Sequence, residues 1–120
     1  MKVQTVSSQN FNGHLVFVEK SAKNVYKITG NFEKSFQKNY PDEVKIVNKA
    51  LQEKPFNIYV SSWEKQPEFY ELSPNKNLFD YANRYRKEDY KPTYINKDVI
   101  KSMFTNAVED IIKKFESTKV

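Results

Sequence analysis

Apolar residues recur at Ile100, Met103, Phe104, Ala107, Val108, Ile111, Ile112 and Phe115. Steps of three and four place all eight on one stripe, which predicts a long amphipathic C-terminal helix. Asn96 is its expected N-cap, Asp98 suits the positive end of the helix dipole, and Ile95 can staple onto Ile100. A second helix is predicted from Pro41 to Glu53. Pro41 fits a first helical position, Asp42 and Glu43 follow it, and Val44, Val47 and Leu51 form the stripe. Lys54-Pro55 ends it, because a residue before proline is pushed out of the α region.

The first half otherwise carries the period of two. His14 to Glu19 is apolar on both faces, the pattern of a central strand covered on both sides. Asn12-Gly13 before it predicts a two-residue hairpin turn with positive φ, closing a polar strand over 3–11. Asn24 to Thr29 alternates and is rich in strand formers, with Gly30 as its end. In 31–39 the spacing of Phe32 and Phe36 fits a short helix, without deciding the assignment. Phe56 to Val60 alternates cleanly, and Pro67 to Leu72 is its expected partner across a loop holding Trp63. Ser73-Pro74 is expected to break that strand. A short helix over 76–87 would turn Leu78, Phe79 and Ala82 inward. This order predicts one α+β domain over residues 1–120. Its antiparallel sheet has about five strands, with two to three helices packed mainly on one face.

Composition changes the picture of function more than of fold. The chain has 120 residues, 38% of them hydrophobic, and aromatic rings compensate with nine Phe, eight Tyr and one Trp. There is one histidine, no cysteine and two glycines. A Cys-His pair is therefore impossible, and a Ser-His-Asp triad would have to use His14. The common zinc ligand sets are excluded, and neither Gly13 nor Gly30 belongs to a phosphate-cradling loop. A carboxylate pair for acid–base work would have to be assembled from distant residues such as Glu19, Glu64, Glu68 and Glu71. No catalytic residues, metal or cofactor are assigned. No segment has the length and apolarity of a membrane span or of a signal peptide, and the cytoplasm is the expected compartment.

The net charge is +5, carried almost wholly by lysine; Arg84 and Arg86 are the only arginines. Lysine is a solvated point charge more often than a phosphate fork, so the basic balance alone does not specify nucleic acid. The densest mixture of rings and cations runs from Tyr81 to Tyr94. From Leu78 to Tyr94, four positive charges meet three negative ones. Tyrosine and arginine are hot-spot residues of protein interfaces and also tools for gripping single-stranded nucleic acid. The candidate partner-binding residues are Trp63, Tyr81, Arg84, Tyr85, Arg86, Lys87, Tyr90 and Tyr94. The expectation is a non-enzymatic accessory or structural domain of bacterial or phage type, binding a protein partner or its own copy. The alternative is a nucleic-acid-binding module or small metal-independent ribonuclease using Arg84, Tyr85, Arg86, Lys87 and Tyr90.

Overall fold

The computed structural model describes residues 13–23, 25–75 and 92–118. The expected strand over 3–11 and helix over 76–87 lie outside them. The described residues form five strands: β1 (Leu15–Lys20), β2 (Tyr26–Ile28), β3 (Asn57–Trp63), β4 (Phe69–Asn75) and β5 (Thr93–Asn96). The helices are α1 (Gly30–Asn39), α2 (Pro41–Leu51) and α3 (Ile100–Thr118), the last entered through a 3-10 turn at Lys97–Val99. The strands form one sheet in the order β2-β1-β3-β4-β5. It is mixed and mostly antiparallel, with β1 and β3 as its one parallel pair. The fold is α+β, as expected.

Alternation along the strands sorts side chains onto two faces. Leu15, Phe17, Ile58, Val60, Leu72 and Ile95 face the helices and share one core with Val44, Val47, Leu51, Phe104 and Ile111. Phe36 of α1 is the hub. Its ring lies 5.1 Å from Phe17, 5.0 Å from Tyr40, 5.4 Å from Tyr70 and 5.3 Å from Phe104. Rings at such spacings add edge and offset contacts to their large buried area. The two phenylalanines four apart in 31–39 therefore belong to a helix. Thr29 caps it, its Oγ1 accepting from the Phe32 amide at 3.4 Å.

Several expectations are refined. Asn96 Oδ1 accepts from the Asp98 amide at 2.8 Å, so the predicted cap closes the 3-10 turn leading into α3. Met103 lies at the margin of its stripe and stays 52% exposed. Ser73-Pro74 does not break the chain, since β4 runs on to Asn75 with Pro74 opposite Ile58. The reason is which way its nitrogen points. The Lys97 amide donates to the Glu68 carbonyl. Alternation then turns the even-numbered amides of β4 toward β5, and β5 begins only at Thr93, opposite Leu72. The ladder between β4 and β3 therefore loses no bond at Pro74.

Gly13 is needed for a different reason from the one its hairpin motif suggests. Its φ lies outside the left-handed region, but a Cβ there would sit 2.1 Å from the Phe56 carbonyl oxygen and 2.6 Å from that of Leu51. Its amide donates to the Lys54 carbonyl at 3.0 Å. The glycine lets the start of β1 lie directly against the α2–β3 connection. Asn48 of α2 adds a clamp, its Oδ1 accepting from the Leu15 amide at 3.0 Å.

Candidate functional site

The three described helices lie on one side of the sheet, and the residues between the core-facing ones point to the other side. There Val16, Val18 and Tyr59 form a separate buried cluster that contains no helix residue. β1 is thus buried on both faces, as its unbroken apolar run requires. Strand register lines up the rest of this face. One row crosses all five strands: Ile28, Val18, Ser61, Glu71 and Tyr94. Beside it run Tyr26, Lys20 and Trp63.

The centre of the face is buried and its rim is not. Tyr26 and Ile28 on β2 are 42% and 52% exposed, and Phe69 and Tyr94 on β4 and β5 are 37% and 51% exposed. Burial holds the Tyr94 phenol above its usual pKa, and the cross-strand Glu71 carboxylate and Tyr26 push the same way. Tyr26 and Tyr94 sit on the opposite edge strands of this face.

Trp63 is the last residue of β3, where it pairs with Lys20, and not part of a loop. It is half-buried. The Lys20 Nζ stands 4.2 Å from the indole centroid and 5.3 Å from the Tyr26 ring, with Lys65 on the indole at 5.9 Å. The ammonium is thus held by ring quadrupoles. The indole Nε1 is buried without a hydrogen-bond partner. Around this end of the sheet, at the carboxyl ends of β1 and β3, opens a cleft of about 510 Å³.

Of the sequence-predicted binding residues, Trp63 and Tyr94 lie on the face opposite the described helices, while Tyr81, Arg84, Tyr85, Arg86, Lys87 and Tyr90 lie outside the described residues. Sequence reasoning missed Lys20, Tyr26, Ile28 and Phe69. The alternation in 24–29 was the available signal for Tyr26 and Ile28, but alternation does not say which side the helices take. His14 is exposed at the opposite end of β1 from Trp63. Its amide donates to Asn57 Oδ1 at 3.1 Å, and its carbonyl accepts from the Ile58 amide at 3.1 Å. Glu19 and Glu64 both line the Trp63 cleft, whereas Glu71 lies on the rim beside Tyr94. Among the described residues, no three His, Cys, Asp or Glu gather closely enough to hold a metal ion. Nor is any described helix long and apolar enough to cross a membrane. Comparison of this chain with protein-family models, characterised proteins and solved structures returned no match.

Proposed function

We propose that this chain is a binding domain, an accessory or structural component whose partner is a protein, and that the partner docks on the face of the sheet opposite the described helices. One observation carries this reading: Tyr26, Ile28, Phe69 and Tyr94 leave large apolar or aromatic surface in water on a single face. Side chains of this size are usually drawn into a core, and grouped exposure marks an interaction surface more often than chance. A buried centre with an aromatic rim also gives a partner fixed anchors, so little side-chain entropy is lost on docking. By contrast, Ile46 and Met103 on the helical side are exposed singly, on different helices.

Site-specific photo-crosslinking in the native host tests the reading. A benzophenone side chain at position 94 or 69 should give one defined protein adduct, or a dimer of this chain. The same group at position 46 should not. The identified partner, purified, should bind the unmodified chain, and Tyr94→Ala should weaken binding by about tenfold or more, the scale of an interface hot spot. Equal adducts from position 46, nucleic acid as the trapped species, or no loss in Tyr94→Ala would refute it.

A further inference from the structure

A band of rings crosses the face opposite the described helices at the carboxyl ends of β1 and β3. Strand register fixes its members. Lys20 of β1 lies between its cross-strand partners, Tyr26 of β2 and Trp63 of β3. Phe69 of β4 stands two residues before Glu71, which pairs with Ser61 and with Tyr94 of β5, so Phe69 and Tyr94 share that face. Tyr26, Phe69 and Tyr94 are exposed, and Trp63 is half-buried. Two seats result. One is bounded by Tyr26 and Trp63 and floored by the stem of Lys20. The other is bounded by Trp63 and Tyr94 and floored by Phe69. They are centred on β1 and β4, two strand spacings or about 9.6 Å apart. Trp63 stands between them, and its indole Nε1 is a buried donor without an acceptor.

We infer that the protein partner presents a proline-rich segment in polyproline II conformation, lying across the strands. Two of its prolines, three residues apart, fill the seats, and a backbone carbonyl between them accepts from Trp63 Nε1. The inference rests on the protein-binding reading above. Polyproline II has three residues per turn and a rise of about 3.1 Å, so like-facing prolines recur at about 9.3 Å, close to the spacing of the seats. Its backbone makes no internal hydrogen bonds, which leaves carbonyls ready for an orphaned indole N–H. Rings fixed on strands and a ligand already extended lose little entropy on meeting. The first seat holds the Lys20 ammonium, 4.2 Å from the Trp63 ring and 5.3 Å from that of Tyr26. A proline entering it sends that ammonium back to water. Single-stranded nucleic acid also stacks on rings, but its phosphates would run past the Glu71 carboxylate in the row of Ser61 and Tyr94.

Trp63 is the chain's single tryptophan, so its indole N–H gives one cross-peak in the NMR spectrum of the isotope-labelled full chain. A capped oligoproline peptide should move that peak downfield saturably, the mark of a new hydrogen bond. A glycine-serine peptide of the same length should not. Affinities follow from the anisotropy of fluorescein-labelled peptides. Trp63→Phe keeps a ring and removes the donor, and Tyr26→Ala removes a wall of the first seat. Each should weaken oligoproline binding by about fivefold or more, the scale of one net hydrogen bond. Lys20→Met keeps the stem, leaves no ammonium to displace, and should bind at least as tightly as the unmodified chain. Circular dichroism verifies each fold. No saturable shift, equal binding of the glycine-serine peptide, or undiminished binding by folded Trp63→Phe or Tyr26→Ala would overturn the inference. So would weaker binding by Lys20→Met, or tighter binding of a uridine-rich RNA oligomer. Crosslinking at position 94 separates the two ideas. A protein trapped there while oligoproline fails removes the proline-rich segment alone. Oligoproline binding with nothing trapped in the host removes the protein-partner reading and leaves the seats.

Discussion

Gly13→Ala should be among the most damaging single-methyl changes available in this chain. The added Cβ would stand 2.1 Å from the Phe56 carbonyl oxygen, 2.6 Å from that of Leu51 and 3.0 Å from that of Lys54. All three are backbone atoms of one tight connection, so no flexible side chain can swing away. Relief requires moving the start of β1, which also breaks the bond from the Gly13 amide to the Lys54 carbonyl. Overpacking of this kind costs about 3 kcal/mol at the upper end of its usual range, and the hydrogen bond adds about 1 kcal/mol. Stiffening of the unfolded chain returns about 0.4–1 kcal/mol. The net loss is about 3 kcal/mol, a large share of a stability of about 5–15 kcal/mol. Urea unfolding followed by Trp63 fluorescence measures it, and with a slope of about 1–3 kcal/mol/M the midpoint should fall by at least about 1 M. Gly30→Ala is the internal control. A Cβ there meets nothing within 4 Å, and the residue opens α1. Its midpoint should hold or rise, by up to about 1 kcal/mol in stability. Equal midpoints for the two alanine variants would refute the close-approach argument.

Phe36→Ala empties the hub of the aromatic cluster and should cost about 3–5 kcal/mol, read from the same urea curves. Thr29→Ala removes the cap of α1 and the hydroxyl that Glu19 accepts from, costing about 1 kcal/mol and speeding hydrogen exchange of the Phe32 amide. Alkaline unfolding should depend on Tyr70 and Tyr94. Burial holds both phenols above 10.0, with Tyr40 adding to the shift at Tyr70 and Glu71 and Tyr26 at Tyr94. The folded state keeps those protons longer than the unfolded chain. Their stabilisation is therefore complete below pH 10 and is lost as pH climbs through the raised values. Tyr70→Phe should flatten the fall of stability above pH 10, measured by urea midpoints against pH; an unchanged fall would contradict the shift.

How far the fold could be read from the chain depends on where each signal lives. α3 was legible because eight apolar positions repeat the helical period, and β1 because its run has no polar side. The direction of β1 against β3 was not, since alternation is the same in parallel and antiparallel strands and their pairing is set by the intervening residues. α1 stayed ambiguous because Phe32 and Phe36 carry nearly all of its apolar signal; its cap at Thr29 reads equally well as the end of a strand. Pro74 misled because its tolerance depends on where a neighbouring strand starts. Of the site, Trp63 and Tyr94 stood out as residue types. Tyr26, Ile28 and Phe69 did not, because an apolar strand residue looks the same whether a helix covers it or water does.

The parallel pairing of β1 with β3 also sets an order of events during synthesis. Everything from Ser21 to Phe56, including β2, α1 and α2, leaves the ribosome before β1 meets its neighbour on that side. Until then a strand greasy on both faces waits with one edge open, and loop closure over so long a stretch is slow. The nascent chain's window of risk for clumping therefore closes when β3 emerges, and slowing translation ahead of it should lower the soluble yield.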